Sequence, residues 1–385
     1  MLAKRVEIDT INLVHTPDCN RLFPLRGRRI VKQMRMTVLA SGSKGNSTVI
    51  SSGRTRVLVD AGLSCRELLR RMAIAGEDPA QLNAILITHE HHDHIDGLAV
   101  LARRLRIPVF FTEPTHRAWV RMLTPKTTMT YAKWLDHLQK EKAARAQATT
   151  AAIPVQELDA AATGAAQFEA IASISAEAAT LDPLVNHSSA DVEVEENEDV
   201  CDEEATAALP SSVKADPTYL PAVEYFRAGT PFSIGDIDIS PFTTPHDAAD
   251  PCGFVFESEG IRMAIATDLG YMPPNVKAAL KRIDVLLLES NHDLEMLRDG
   301  PYPWSVKQRV LSRVGHLSND ATAEFLARDY DGGSAYIILG HISASNNNPA
   351  LALLAAEQAI GGRMTLLGNR VLTADQAVPM EPISL

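Results

Sequence analysis

The stretch THEHHDHIDG, residues 88–97, constrains this chain most, because it places four histidines and two aspartates within ten positions. It follows directly on the apolar run Ala84–Ile87, which is typical of a buried strand. Side chains two residues apart at the end of a strand project to the same side, so His89 and His91 are placed to converge on one ion. Histidine nitrogens and carboxylate oxygens suit zinc, with manganese or iron as alternatives. A charged surface turn is the less favoured interpretation.

Further ligands are expected close by and at the ends of other strands. Asp93 and His94 follow as the chain turns into a helix expected near Ile95, and they are placed to reach a second ion. His92 falls on the other side and is left out of the predicted site. Three candidates end predicted strands: His246 in ISPFTTPH, Asp268 in RMAIATD and His341 in AYIILGH. The two oxygens of one carboxylate are able to bridge two ions, which makes Asp268 the candidate bridge.

The acidity of the chain is confined to one segment. The whole chain has a net charge of −11, and residues 124–222 alone hold 6 Lys and Arg against 17 Asp and Glu. This segment is rich in alanine and poor in aromatic residues, so it buries too little apolar surface to offset chain entropy. We predict an insertion, helical over Tyr131–Gln147 and otherwise largely disordered. A solvated spacer without a role is the favoured interpretation.

The parts that flank the insertion, residues 34–123 and 223–385, predict a mixed α/β domain built on sheets. Runs rich in β-branched and aromatic residues alternate with helix-like segments. Strands are predicted in MTVLAS, TRVLVDAG, NAILITH and PVFFTE before the insertion, and in PFSIGDIDISPF, GFVFESEGIRMAIATD, VLLLES and AYIILGH after it. Helices are predicted in CRELLRRMAIAG and IDGLAVLARRLR.

Residues 1–33 form a basic extension that lacks the apolar stretch of a secretory signal. Met34 and Met36 directly precede the first predicted strand, which suggests the hypothesis that the extension comes from a start codon assigned too far upstream. No apolar run approaches the roughly 18 residues of a membrane span. The 4 cysteines lie far apart without a CxxC pair. These features predict a cytoplasmic protein without a membrane partner, and they leave its oligomeric state open.

Five segments resemble, in order, the five motifs of the metallo-β-lactamase fold: Asp60 in VLVDAG, the run HEHHDH, His246, Asp268 and His341. The resemblance implies a four-layer αββα sandwich with a dinuclear site at one edge of the sheets. It implies a first ion held by His89, His91 and His246. It implies a second ion held by Asp93, His94 and His341, with Asp268 between the two. Asp60 is implied to orient a ligand histidine by a hydrogen bond.

Longer stretches are similar to the YycJ/WalJ-type branch of this fold, which is associated with DNA exonuclease activity. They are ASGSKGNST, TPHDAADPCGF, LLLESNHDLEMLRDGPYPWSVKQRVLSRVGHLSN and LGHISASNNNP. The implied function is hydrolysis of phosphodiester bonds by a 5′–3′ DNA exonuclease that uses two divalent ions, zinc or manganese. The implied substrate is DNA rather than RNA, and Asp93 is expected to accept a proton from the attacking water. The acidic insertion and the extension depart from the branch.

The loop SGSKGN, residues 41–46, is a candidate for binding a terminal phosphate. Ser41 and Ser43 supply hydroxyl groups, Lys44 supplies a cation and Asn46 closes the loop. Its glycines allow backbone N–H groups to approach an anion. From the residues alone, an ordinary Gly/Ser turn is as well supported as a phosphate site. The family resemblance favours the phosphate site.

The segment 291–319 is a second candidate surface. Four cations are candidates for contact with phosphates: Arg298, Lys307, Arg309 and Arg313. Two aromatic residues, Tyr302 and Trp304, are candidates for stacking on bases. The alternative is that Trp304 is a core residue and that the cations form a solvated helix face. Asn291 and His292 are included as substrate-binding candidates.

His316, in GHLSN, is the candidate proton donor, because this stretch resembles the GHST stretch of tRNA-processing relatives, where the histidine acts near the scissile phosphate. His292 is a weaker candidate for that role. Either histidine is alternatively a rival of His341 as a metal ligand.

Two other functions compete with a nuclease. A small-molecule hydrolase of the same fold, a cyclic phosphodiesterase or a thioesterase, would turn over a small ester but not DNA. A regulator that kept the fold without catalysis is disfavoured by the complete ligand set. The neutral charge outside the insertion is no strong indication of nucleic-acid binding.

Overall fold

Two seven-stranded sheets form the frame of the protein. The computed structural model describes residues 34–124, 216–361 and 368–385. The strands are β1 (Arg35–Ala40), β2 (Ser47–Ser51), β3 (Arg56–Val59), β4 (Ala84–Leu86), β5 (Val109–Thr112), β6 (Val223–Phe226), β7 (Phe232–Ile234), β8 (Ile237–Thr243), β9 (Cys252–Ser258), β10 (Ile261–Ala266), β11 (Val285–Glu289), β12 (Tyr336–Gly340), β13 (Arg370–Thr373) and β14 (Ile383–Ser384).

Helices cover the outer faces of the sheets. In the described residues they are α1 (Cys65–Ile74), α2 (His92–Ile95), α3 (Leu98–Leu105), α4 (Glu113–Leu123), α5 (Pro274–Ala279), α6 (Leu294–Asp299), α7 (Trp304–Val310), α8 (Asn319–Arg328) and α9 (Pro349–Ile360), with a 3₁₀ turn at Pro79–Gln81. None of them combines the length and apolar character that a membrane crossing needs.

Each sheet mixes antiparallel and parallel pairs. The first has the order β14-β1-β2-β3-β4-β5-β6, and the second has the order β13-β12-β11-β10-β9-β8-β7. Strands β3 to β6 pair parallel with one another, and so do strands β10 to β13. Parallel neighbours end at the same edge of a sheet, so the residues after β3 and β4, and those after β10, β11 and β12, are gathered at two edges.

Three apolar clusters define four layers. Between the sheets lie side chains from both, such as Ile50, Phe254 and Leu287. Outside the first sheet, α1, α3 and α4 pack on residues such as Leu58. Outside the second sheet, α5, α8 and α9 pack on residues such as Leu286. Each fully buried Leu or Phe contributes about 1.5–3 kcal/mol, so burial of both sheet faces holds the sandwich together. The predicted αββα arrangement is confirmed.

Local sequence explains where several elements begin. The Ser64 hydroxyl accepts a hydrogen bond from the Glu67 N–H and caps α1, and Thr112 caps α4 through the Thr115 N–H. Asn348 caps α9, and Pro349 at its first position lacks the N–H that would have no helical partner there. These caps satisfy donors that a helix start leaves unpaired.

The predicted strands are all found, whereas four strands of the described residues were not predicted: β2, β6, β13 and β14. The helix expected near Ile95 begins earlier, at His92, so Asp93 and His94 lie on its first turn. Residues 1–33 and the helix predicted over Tyr131–Gln147 lie outside the described residues.

The last residues of the predicted insertion are attached to the domain. Leu220 is buried in the cluster outside the first sheet. The carbonyl of Ala222 accepts a hydrogen bond from the Val109 N–H at 3.0 Å, just before β6 pairs with β5. A deletion that removes the insertion without disturbing the sheet should therefore stop short of residue 216.

Replacing residues 125–215 with a short Gly/Ser linker is expected to leave the domain folded, because loop-closure entropy changes only slowly with loop length. Thermal unfolding followed by circular dichroism should give nearly the midpoint of the full-length protein. A longer deletion, of residues 125–222, also removes Leu220 and the Ala222 carbonyl. It should lower the free energy of unfolding by about 2–4 kcal/mol. If the shorter deletion unfolds the protein, the segment is part of the core and the prediction of an insertion is wrong.

Candidate metal centre

The chain turns that follow the parallel strands bring histidines and carboxylates together at one edge of the sandwich. Residues 88–94 follow β4, Asp268 follows β10 and His341 follows β12. Ligand atoms from these turns lie within 4.8 Å of one another in overlapping groups. The strand ends of both sheets therefore build one site, as the sequence predicts.

The turn that carries Asp93 and His94 is held by close backbone contacts. The Asn46 N–H donates to the Asp93 carbonyl at 2.7 Å, and the Ala61 N–H donates to the His94 carbonyl at 2.8 Å. A Cβ atom at Gly62 would lie 1.7 Å from the Asp93 carbonyl oxygen. Only glycine therefore allows this approach, which fixes the turn against the segment after β3.

His89, His91 and His246 form a first set of three nitrogens. His89 Nε2 lies 3.1 Å from His91 Nδ1, and His246 Nε2 lies 3.2 Å from the same atom. Nitrogens that each lie 2.0–2.1 Å from a tetrahedral zinc ion are about 3.3 Å apart. The spacing of this set thus matches what a divalent ion requires.

Asp93, His94 and His341 form a second set. Asp93 Oδ2 lies 3.4 Å from His94 Nε2 and 3.3 Å from His341 Nε2. His92, which was excluded from the site, is exposed on the first turn of α2. The two sets share the turn after β4 and lie side by side.

Asp268 stands between the two sets. Its Oδ1 lies 3.8 Å from His246 Nε2, and its Oδ2 lies 3.5 Å from His94 Nε2. The Oδ2 atom is buried and has no hydrogen-bond partner. A buried carboxylate oxygen without a partner is costly, and a cation at this position would satisfy it. This orphaned oxygen and the mixed N and O donors fit divalent metal ions.

The ring nitrogens that face away from the site are held by protein groups. His94 Nδ1 lies 2.8 Å from Asp60 Oδ2, and His89 Nδ1 lies 3.0 Å from the Thr88 hydroxyl, which itself donates to Asp60. His246 Nδ1 lies 3.1 Å from the Gly315 carbonyl. Such bonds set the tautomer and orientation of a metal-binding histidine.

Glu289, at the end of β11, joins His341 to His316. Its Oε1 lies 3.0 Å from His341 Nδ1 and 2.7 Å from His316 Nδ1. Its Oε2 accepts the N–H groups of Leu269 at 2.6 Å and of Leu317 at 3.3 Å. One buried carboxylate thus holds two histidine rings and also the backbone at Leu269, next to Asp268, and at Leu317, next to His316.

The carboxylates and histidines of the site shift one another's pKa values. Burial acts to raise the pKa of Asp268, but His341 and His94 lower it well below its usual value. Burial likewise opposes a proton on His94, yet Asp93, Asp268 and Asp60 raise its pKa well above the usual value. Burial also acts to raise the pKa of Glu289, but His316 and His341 lower it to about 2. The carboxylates are therefore ionised, and metal binding would displace protons from histidines.

Three residues of the site have a left-handed backbone. Asp60, Asp268 and His341 have φ values of 60°, 60° and 54°, each just after a strand. For residues other than glycine this conformation costs about 1–3 kcal/mol and persists only where the surroundings enforce it. Here it turns each side chain away from the strand direction and toward the site.

The loop 41–46 divides into a buried base and an exposed tip. The Ser41 hydroxyl accepts the His341 N–H at 2.8 Å, and Asn46 Nδ2 donates to Asp93 Oδ2 at 3.1 Å. Ser43 and Lys44 are exposed. Ser41 and Asn46 therefore hold the turns that carry His341 and Asp93, and the tip of the loop is exposed.

Asn291 and His292 lie behind the site. Asn291 Nδ2 donates to the His341 carbonyl at 2.8 Å, so this amide positions a ligand-bearing turn and is not offered to a substrate. His292 is buried, both of its ring nitrogens lack a partner, and burial lowers its pKa to about 4. His292 belongs to none of the candidate metal-binding groups, whereas His316 belongs to one of them, with Asp268, Glu289 and His341.

The mouth of the site is open on one side. The side chains of His91, Asp93, Asp247 and His316 keep between 22 and 28% of their surface exposed. Asp247 pairs with Arg309 of α7. The hydrogen bond that Arg309 Nε donates to the Asp247 carboxylate is the main cause that raises the pKa of Arg309, with a smaller effect of Asp93. Arg309 therefore stands at this mouth.

Comparison with known proteins agrees with this geometry. Residues 40–154 match a model of the metallo-beta-lactamase superfamily, and residues 195–342 match a model of the beta-lactamase superfamily domain. Exodeoxyribonuclease WalJ of Streptococcus pneumoniae is 30% identical over 83% of this chain and 85% of its own length. The chain belongs to the YycJ/WalJ-type branch of the metallo-β-lactamase superfamily.

Other relatives agree with this membership. Exodeoxyribonuclease YycJ of Bacillus anthracis is 28% identical over 85% of this chain and 89% of its own length. The crystal structure of the metallo-beta-lactamase fold protein YhfI of Bacillus subtilis covers 90% of this chain and 99% of its own, at 13% identity and a TM-score of 0.51. That likeness shows the fold alone. Membership of this superfamily implies a site for divalent metal, and the residues described above fit one.

Glu289 is the main residue that sequence reasoning missed. It is wholly buried, and it ends an apolar strand whose other residues are Val285, Leu286, Leu287 and Leu288. A carboxylate in such a run is rarely buried unless it is paired, and that was the available signal. Asp247 was missed also, although it directly follows a predicted ligand.

Replacing Asp268 with alanine is expected to remove most of the bound metal while the sandwich stays folded, because the carboxylate that lies between the two ligand sets is lost. Metal content per chain, measured by mass spectrometry on purified protein, checks this. Asp238→Ala is a matched control, since that carboxylate is exposed on β8 and bonds only to Ser233 nearby. Unchanged metal content in Asp268→Ala would show that the assignment of Asp268 is wrong.

Proposed function

We propose that this protein is a metal-dependent exodeoxyribonuclease that hydrolyses phosphodiester bonds of DNA from the 5′ end, with two divalent ions, zinc or manganese. The observation that carries the proposal is the arrangement at the mouth: two ligand sets share one bridging carboxylate, and His316, whose Nδ1 is engaged by Glu289, lies beside both. The names of the exodeoxyribonuclease relatives, which align over most of their length, support DNA as the substrate.

Seven residues would hold the ions: His89, His91 and His246 the first, Asp93, His94 and His341 the second, and Asp268 both. When bound, such ions acidify a water molecule near neutral pH and neutralise charge on the phosphate oxygens. Asp60 and Glu289 keep the ligand histidines in place through their second ring nitrogens.

His316 is proposed as the proton donor to the leaving oxygen. Its Nδ1 is engaged by Glu289 Oε1 at 2.7 Å, so that Nε2 is the nitrogen left to hold a transferable proton. Its ring lies 5.0 Å from the rings of both His246 and His341. A histidine in this position touches the reacting group, whereas Glu289, which is fully buried, acts through it.

Asp93 is proposed to accept the proton of the attacking water. Its Oδ2 receives the Asn46 amide and faces two histidine nitrogens, while part of the side chain stays exposed. Burial acts to raise the pKa of Asp93, but His94 and His341 lower it well below its usual value, so the acceptor is ionised. Asn46 keeps this carboxylate turned toward the second ligand set.

Two cations flank the mouth on different elements. Arg309 is held there by Asp247, and its planar guanidinium suits two oxygens of one phosphate. Lys44 and Ser43 form the exposed tip of the loop after β1. A terminal phosphate at that tip and a scissile phosphate near Arg309 would align a strand end across the site.

Metal-loaded protein incubated with DNA and RNA strands labelled at either end tests the proposed function. A 5′–3′ exodeoxyribonuclease releases the 5′ label first, as a short product, and degrades DNA faster than RNA. Parallel reactions contain bis(p-nitrophenyl) phosphate, a cyclic nucleotide and a thioester. Turnover of a cyclic nucleotide or a thioester without any turnover of DNA would establish a small-molecule hydrolase instead.

Alanine at His316 and at His341 should have different effects. His341→Ala removes a ligand and should lower metal occupancy. His316→Ala should keep its metal and lose turnover by about 10²–10⁴-fold, the usual cost of removing a general acid. Metal analysis and single-turnover rates on DNA check both variants. His92→Ala, which alters an exposed histidine of the same run, should match the unaltered protein. If the metal loss occurs in His316→Ala and not in His341→Ala, the two assignments are reversed.

A further inference from the structure

Helix α7 carries a large aromatic side chain that the core does not explain. Trp304, the first residue of α7, is 66% exposed, more than any other large apolar residue of the described chain that is exposed. None of the residues of this helix is buried. The alternative of a core tryptophan is therefore wrong, and the Trp304 side chain is exposed.

Further exposed apolar residues continue from Trp304 toward the metal centre. Leu311 is 50% exposed and follows Trp304 by seven residues, which places it on the same helix face about 10 Å along the axis. Val314 is 44% exposed, and its carbonyl accepts the Asp247 N–H at 3.1 Å. The next carbonyl, of Gly315, accepts from His246. Trp304, Leu311 and Val314 thus form an apolar stripe that ends beside the first ligand set.

The charge around the stripe favours a polyanion. Residues 294–314 contain four Lys and Arg and two Asp and Glu, although the chain as a whole has a net charge of −11. Arg309 lies at the mouth of the site, and the Arg313 guanidinium lies 4.1 Å from the centre of the Tyr271 ring. Cations beside exposed aromatic and apolar side chains are the pattern by which proteins hold single-stranded nucleic acid. A second copy of this acidic chain is a less suitable partner for these cations, because its negative charges are less regularly spaced than the phosphates of a nucleic-acid strand.

We propose that the stripe is a stacking platform for unpaired bases, in which Trp304 stacks on one base of the strand whose end lies in the metal centre. The proposal rests on the proposed function and adds to it that the bound strand is single-stranded, or frayed, near the cut. Every base has a π-face, so stacking on Trp304 would be tolerant of sequence. In a duplex, bases present those faces to one another and not to the protein.

Oligonucleotides with one abasic site moved stepwise along the strand test this proposal. Binding is measured by fluorescence anisotropy, and turnover is measured separately. In the unaltered protein, an abasic site at one position should weaken binding about 5- to 150-fold, the fold-change that base stacking supplies. Trp304→Ala should weaken binding of intact strands by a similar factor and lose the dependence on that position. Trp304→Phe should retain most of the binding strength and of the dependence on the abasic position.

Leu354→Ala is the matched control, because Leu354 is 51% exposed on α9, in the outer layer of the second sheet. It should bind every oligonucleotide as the unaltered protein does. A Trp304→Ala protein that keeps the full dependence on the abasic position would overturn the platform. A change in sedimentation of Trp304→Ala without DNA would also overturn it, since the stripe would then join two copies.

The platform and the proposed function fail in distinguishable ways. If the unaltered protein binds DNA with the dependence on position but never cleaves it, the nuclease is refuted and the platform stands. If it cleaves DNA with the same rate whichever base is missing, the nuclease stands and the platform is refuted. If DNA is neither bound nor cleaved, both are refuted.

Discussion

Three buried carboxylates, Asp60, Asp268 and Glu289, hold the site together. Burying a carboxylate is costly unless charged or hydrogen-bonded partners surround it, and histidines from distant parts of the chain are these partners here. Asp60 and Glu289 each engage the outward nitrogen of a histidine, and Asp268 faces the inward ones. The rings therefore present their lone pairs in fixed directions. Removing one carboxylate would leave its histidine free to turn, so the geometry of both ligand sets depends on these pairs.

The sequence predicted those parts of the site whose signals are local. The run after β4 has its spacing within six residues, and His246, Asp268 and His341 each end a predicted strand. Glu289 was missed because its partners are 27 and 52 residues further along the chain, and nothing at position 289 but its charge distinguishes it from core. Strand β2, STVIS, was missed although its Thr, Val and Ile favour a strand, whereas the two-residue β14 is a strand only through its pairing with β1.

The residues proposed for substrate contact divide into supports and contacts only once the fold is known. Ser41, Asn46 and Asn291 were grouped with Ser43 and Lys44 because all are polar residues near motifs. Their hydrogen bonds to His341 and Asp93 show that the first three stabilise the ligand turns. Under the proposed function, the residues left for substrate contact are the exposed ones: the loop tip, Arg309 and the stripe that begins at Trp304. Sequence alone gives residue type but not the side to which a residue points.

The left-handed backbone at Asp60, Asp268 and His341 has an evolutionary consequence. Glycine at these three positions would relieve the backbone while it removed a ligand or its support, so stability and metal binding favour opposite residues there. A lineage released from the need for catalysis would gain stability by giving up these side chains first. At all three positions, aspartate or histidine thus gives up backbone stability for a side chain that the site uses.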